Sequence, residues 1–327
     1  MPNLPRLRRG GRGAVARPPE QPEVPNVETL KAGGLRWINI ERPRPIDRIW
    51  LEEHFDFHPL DYEDVFSRNQ RPKVDEYEVY LFVVLHFPKY DKTVGRLNAA
   101  ELDVFVGPDY VVTLPNEQLD PLEYVFERCR ASEEVREALF TRGAGYLLYR
   151  IVDSCVDASF PMLRKIGNKL EDLEGDIFEG RSADIVRDIS NAKQEIINFR
   201  KIVRPQRAAL RDLDRTRRYV PEDLEIYFDD IVDASERIWD MLENFKEVVE
   251  GLEDSNEAVL SHRLNDVLRV LTAFSVLFLP LTLIASIWGM NVGVPGEHSI
   301  RAFWIIIAVM VGILGGLIGL FRRRGWL

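Results

Sequence analysis

The sequence is poor in the residues that usually build catalytic and metal centres. Its 327 residues include two cysteines and five histidines. Cys129 and Cys155 lack the short spacing of a zinc knuckle, and two cysteines give no disulfide framework. His54 and His58, four apart in EHFDFHP, could hold a metal, but no third ligand accompanies them, and packing is the commoner use of such a pair. Positive charge is also short. Lysine and arginine number 43 against 53 acidic residues, a net charge of −10, which argues against a nucleic-acid partner. No glycine-rich phosphate loop and no Ser/His/Asp arrangement stands out, so an enzyme is a poor reading. Most telling is where charge of either sign is missing: Val270–Met290 runs 21 residues and Phe303–Phe321 runs 19 with none.

A helix rises about 1.5 Å per residue, so roughly 20 apolar residues cross the ~30 Å hydrocarbon core of a bilayer. Both uncharged runs are long enough. They lie at the C-terminal end, which is not where a signal peptide sits. Arg263 and Arg269 precede the first run, and Arg322, Arg323 and Arg324 follow the second. The connecting loop carries Arg301 beside Glu297 and His298. The positive-inside rule therefore predicts a multi-pass protein of the plasma (inner) membrane with both termini in the cytoplasm and the loop outside.

The first run is patterned. Asn265, Leu268, Thr272, Ser275, Leu279, Thr282, Ser286 and Gly289 are separated by alternating steps of three and four, which is one seam of a helix. Every Ser and Thr of the span lies on it. An uncharged hydroxyl stripe suits the wall of a pore for hydrated cations. It equally suits a packed helix–helix contact, and periodicity alone does not choose. Pro280 can kink the helix, with Ser or Thr available to satisfy the carbonyl it leaves free.

Upstream, the composition predicts an α+β domain, a mixed sheet flanked by helices, followed by a very long helix and the two spans. Residues 1–26 read as a disordered, basic, proline-rich tail. Residues 27–143 hold strand-like runs at Leu35–Ile40, Val79–Phe87, Leu102–Val106 and Tyr110–Leu114, with helical stretches at Ile46–Phe55, Pro59–Phe66, Pro121–Arg130 and Glu133–Phe140. Residues 144–219 read as a helical hairpin: one apolar-periodic run from Leu147 to Ile177, a break at Gly180-Arg181-Ser182, and a second helix containing Pro205. Pro221 suits the start of the longest helix. Residues 220–265 would be its charged part, 266–290 the first span, 291–301 the loop, 302–321 the second span and 322–327 a basic tail. If unbroken to Met290 this helix has about 70 residues, and it needs packing along its whole length to be stable.

Gly289-Met290-Asn291 at the end of the first span, preceded by Pro280-Leu281-Thr282 and by Ile284-Ala285-Ser286-Ile287-Trp288, resembles the signature of the CorA family of divalent-cation channels. The short loop and the basic tail ending Trp326-Leu327 are similar too, and the layout covers nearly the whole chain after residue 30. The loop VGVPGEHS departs from the familiar type and leans toward the zinc-transporting ZntB branch, whereas Met290 leans toward the magnesium channels. The resemblance implies a funnel-shaped homopentamer that carries Mg²⁺, with Co²⁺, Ni²⁺ or Zn²⁺ as further possibilities. It implies a selectivity filter of Gly289, Met290 and Asn291, and a pore lined by Asn265, Leu268, Leu271, Thr272, Ser275, Leu279, Thr282 and Ser286. It also implies regulatory Mg²⁺ between subunits at Asp91 and Asp230. A membrane-anchored helical scaffold without transport is the reading from another class.

Overall fold

The computed structural model describes residues 24–67, 70–91, 95–179, 184–216, 219, 221–290, 293–296 and 299–324. It divides into two compact units, one formed by Met1–Gly167 with Gln194–Lys246, the other by Asn168–Lys193 with Glu247–Leu327.

The first unit is built on a six-stranded sheet: β1 (Glu28–Ala32), β2 (Leu35–Asn39), β3 (Lys73–Glu76), β4 (Leu81–Asp91), β5 (Arg96–Val106) and β6 (Tyr110–Pro115). The order is β1-β2-β6-β5-β4-β3. β2 and β6 run parallel, and the other neighbours are antiparallel, so the sheet is mixed as expected. Helices cover both faces, which is why the central strands read as continuous apolar runs rather than as alternation. On one face Phe82, Val84, Phe105 and Val112 pack with Leu51, Phe57, Tyr62 and Val65 from α1 (Pro45–His54), α2 (Pro59–Phe66) and the turn between them. On the other, Trp37 meets Phe126 of α3 (Asp120–Ala131) edge to face at 4.9 Å and lies 6.5 Å from Phe140 of α4 (Glu133–Phe140). The Trp37 Nε1–H donates to Thr113 Oγ1 at 3.0 Å, so the buried indole is satisfied.

Two strands were not expected. β1 and β3 are short, contain no fully buried residue, and carry two and three charged residues respectively. Both are edge strands, held by their partners' backbones and not by a buried side-chain face. β5 starts six residues before the expected Leu102, because its polar first half, RLNAAE, is registered against His86–Asp91 of β4 (Asp91↔Arg96, His86↔Glu101).

The helical run from Leu147 to Ile177 is two helices, α5 (Ala144–Asp157) and α6 (Ser159–Glu179). The break at Ala158 follows from Pro161, which has no N–H for the Asp157 carbonyl and whose ring would clash with it in a continuous helix. Gly145 on α5 is required by close approach: a Cβ there would lie 1.8 Å from the Tyr219 carbonyl oxygen. α7 (Ile185–Arg215) contains Pro205, and α8 (Glu225–Trp288) follows a single 3-10 turn at Glu222–Leu224. α8 has 64 residues and remains helical through Pro280. Within the first unit α7 and α8 are tied by Arg200–Glu243 at 2.5 Å, Arg207–Glu236 and Arg211–Glu236, with the Arg200 and Arg207 guanidinium groups 5.1 and 4.8 Å from the Trp239 ring centre.

The second unit contains the apolar end of α8 and α9 (Ile300–Arg323), and also Lys193–Glu253, paired at 2.6 Å. Among the described residues, these are the two helices long and apolar enough to cross a membrane. Their contact is made by Ala273 and Leu277 of α8 with Phe321, Leu314, Leu317 and Ile318 of α9. Gly312, Gly315, Gly316 and Gly319 have open space where a Cβ would go, so within one chain they make no close contact of the GxxxG kind.

Candidate functional site

α8 divides its faces sharply. The residues buried against α9 are Ala273 and Leu277, with Pro280, Leu281 and Ile284 half-buried along the same line. At about 100° per residue, the hydroxyl seam lies roughly 200° around the helix from that line, on the far side. Asn265, Leu268, Leu271, Thr272, Ser275, Leu279, Thr282 and Ser286 are all exposed, Leu279 at 66%. From Ser261 to Thr272 every residue is exposed, so among the described residues no element covers any side of α8 there. A helix needs tertiary contacts to be stable at this length, and Leu264, Val267, Leu268 and Leu271 would not stand in water.

Two of the seam's hydroxyl protons are engaged within the helix. Ser275 Oγ donates to the Leu271 carbonyl and Thr282 Oγ1 to the Leu279 carbonyl, both at 2.9 Å. Their remaining lone pairs can only accept, which is what the water shell of a cation needs from a wall. These bonds do not go to Val276, whose carbonyl Pro280 deprives of a donor, so the expected compensation at the proline is not what the hydroxyls do.

The helix ends where the motif begins. Gly289 N–H donates to Ala285 O at 2.9 Å, and Met290 N–H bonds Ile287 O at 3.4 Å, one residue short of helical spacing. Gly289 does not have a positive φ; the positive-φ glycine here is Gly296, at +88°, where a Cβ would lie 2.6 Å from Ala302 Cβ. Met290 is exposed, and Asn291 lies outside the described residues. Beside the motif an apolar cavity of about 600 Å³ is lined by Trp288, Gly289, Ile300, Phe303 and Met310 among others. Trp288, Phe303 and Trp304 are exposed near the helix ends that flank the loop, an arrangement typical of a membrane–water interface that was not singled out in the sequence.

The two acids expected to regulate are far apart in the chain. Asp91 ends β4 opposite Arg96, and Asp230 is exposed on α8. The group that feels Asp230 is Asp153 of α5, absent from the sequence reading. Burial first, then Asp157 and Asp230, hold its carboxyl above the usual aspartate range, against the pull of Arg150, which donates to it at 2.7 Å. Its signal was an acid on the otherwise buried side of a helix, YRIVDSCVD. No group of three or more His, Cys, Asp or Glu able to hold a metal occurs among the described residues. His54 and His58 do not converge: His54 stacks on Trp50 with Nδ1 2.7 Å from the Trp50 carbonyl, and His58 caps α2 by accepting the Leu60 N–H.

Comparison with known proteins agrees with this architecture. The family described as CorA-like Mg²⁺ transporter protein matches residues 32–323. The cobalt/magnesium transport protein CorA of Thermotoga maritima is 33% identical over 299 residues, covering 89% of this chain and 83% of that protein. The solved CorA magnesium transporter of Methanocaldococcus jannaschii superposes with a TM-score of 0.78 at 21% identity over 90% of this chain and 92% of that one. The cytoplasmic domain of ZntB from Vibrio parahaemolyticus shares the fold of the soluble part, with a TM-score of 0.61 at 15% identity over 70% of this chain and 88% of that one. The match takes in the sheet from β2 onward, the 64-residue α8 and α9, and the chain belongs to the CorA family.

Proposed function

We propose that this CorA-family divalent-cation transporter is a Mg²⁺ channel, open also to Co²⁺ and Ni²⁺, in which five copies of α8 surround the pore. The observation that carries the reading is the seam: its hydroxyls face away from α9 and remain uncovered, and those of Ser275 and Thr282 have their protons engaged by backbone carbonyls. A symmetric bundle would cover Ser261–Thr272 from all sides, as a single chain does not. Both termini are taken to lie in the cytoplasm.

In this reading Gly289, Met290 and Asn291 form the filter. A ring of Asn291 amide carbonyls accepts hydrogen bonds from the ion's water shell without replacing it, as suits an ion that dehydrates reluctantly. The hydrated ion passes Ser286, Thr282, Ser275 and Thr272, then Asn265 at the inner end. Rings of Leu279, Leu271 and Leu268 close the pore by dewetting. An inside-negative potential supplies about 2.3 kcal/mol per charge per 100 mV, twice that for a divalent ion. Asp91 and Asp230 of adjacent subunits hold regulatory Mg²⁺ and favour the closed state, with Asp153 reinforcing the acidity around Asp230. The continuous α8 transmits their state to the pore. Uptake into liposomes tests this: Asn291→Ala should abolish Mg²⁺ flux, and near-normal flux would sink the filter. Asp230→Lys should remove the rise in flux that follows chelation of Mg²⁺ on the regulatory side.

The loop after the motif, VGVPG, favours a second reading, a zinc transporter on the same scaffold. Competition of Mg²⁺ with Zn²⁺, Co²⁺ and Ni²⁺, with and without a pH gradient, separates the two.

A further inference from the structure

The sheet of the first unit carries a row of ionisable side chains that the transport reading does not use. Register sets His86 of β4 opposite Glu101 of β5, and Val84 opposite Asp103. Glu101 and Asp103, two apart on one strand, share a face. Glu101 is 3% exposed and Asp103 1%.

The neighbours of this row are not equally provided for. Glu101 receives the Gln70 N–H at 3.1 Å and faces His86 Nε2 at 3.2 Å. Asp61, the buried acid of α2, receives the hydroxyls of Tyr80 at 2.6 Å and Tyr77 at 2.9 Å. Asp103 Oδ1 is buried with no hydrogen-bond partner. The charges that act on Asp103 are Glu101 on its own strand, Asp64 on α2 and Lys73 on β3. Lys73 is already held by Asp64 at 2.8 Å and by Asp75 at 2.5 Å. Five carboxylates, those of Asp61, Asp64, Asp75, Glu101 and Asp103, thus lie around one ammonium and one imidazole, and among them Asp103 has a buried oxygen, Oδ1, without a donor. An ionised carboxylate buried that way costs several kcal/mol, and the usual escape is to keep the proton.

We propose that Asp103, buried among acidic neighbours with Oδ1 lacking a donor, is a proton-binding site that stays protonated near neutral pH and makes the α/β domain pH-responsive. Burial, then repulsion from Glu101 and Asp64, outweighs the attraction of Lys73 and holds the Asp103 carboxyl well above its usual range. The site adjoins a tie to α7: the His86 N–H donates to Gln206 Oε1 at 2.5 Å, and Gln206 is buried. Charging Asp103 therefore loads the strand pair next to that tie. Because the folded carboxyl is raised, its contribution to stability is complete at acid pH and is lost as pH rises toward the folded value.

The test uses the full chain in detergent. Infrared spectra near pH 7 should contain a protonated-carboxyl C=O band that Asp103→Asn removes and that Glu101→Gln, which takes away a repelling charge, loses at lower pH than wild type. Asp103→Asn should unfold about 2–4 °C above wild type near pH 7.5, and the gap should close toward pH 4. Three results would overturn the proposal: no such band in the wild type, an Asp103→Asn protein less stable at every pH, or Mg²⁺ stabilisation that Asp103→Asn abolishes. The last would mean that a cation, not a proton, occupies the site. Absence of the band from the wild-type spectrum overturns the proposal even if a variant fails to fold.

Discussion

The two units of this chain solve opposite problems. The sheet unit completes itself: Phe105, wholly buried, stacks on Phe57 at 3.9 Å and Phe82 at 4.5 Å, and even the buried indole of Trp37 has its acceptor. The apolar end of α8 leaves Leu264, Leu268, Leu271, Phe274, Phe278 and Leu279 in the open. The same kind of side chain, buried in one unit and bare in the other, indicates that the first is a finished core and the second an unfinished one. In the proposed reading its completion comes from lipid and from other copies of the chain.

That contrast can be broken by substitution. The largest effect on function should come from the second unit with no effect on the first: Asn291→Ala should remove nearly all divalent flux while the melting of the sheet unit, followed by near-UV circular dichroism, is unchanged. The largest effect on stability should come from the first. Phe105→Ala should cost about 3–5 kcal/mol in denaturant unfolding, whereas Leu268→Ala, exposed in the single chain, should change unfolding by less than about 0.5 kcal/mol and show instead as a leak through the closed pore. A loss of several kcal/mol for Leu268→Ala would mean that α8 packs within one chain after all.

Smaller effects sharpen the comparison where α7 and α8 meet. Arg207→Ala removes the Glu236 pair and the contact with Trp239, both partly shielded from solvent, and should cost about 1–2 kcal/mol. The smallest effect is in pH. The hydrogen bond from Arg207 holds the Glu236 carboxyl below its usual range, more than burial raises it. A lowered carboxyl contributes stability above its unfolded value and loses it as pH falls through the folded value. Glu236→Gln should therefore flatten the acid limb of the unfolding curve slightly, and added salt should shrink the difference.

Much of this was readable in the residues because two signals are local. Uncharged length marks α9 and the end of α8, and three-four spacing marks the seam. The strands buried on both faces, such as LFVVLHF, announced themselves. β1 and β3 did not, since an edge strand such as KVDE is held by its neighbour's backbone and carries no apolar face. The break at Ala158 depends on a proline three residues later competing with a strong apolar period. Asp153 and Asp103 went unnoticed for one reason: an acid's burial is set by what packs over it, and a sequence that is rich in acids gives each the same appearance.

The sequence by itself determined the family, the two uncharged helices, the seam and the motif that ends it, because length, charge and period are properties of a segment. Only the tertiary structure decided which side of α8 the seam faces. α9 covers Ala273 and Leu277, and the hydroxyls are left on the opposite side. Periodicity groups residues onto one face, but it takes a packed neighbour to say whether that face is inside or out.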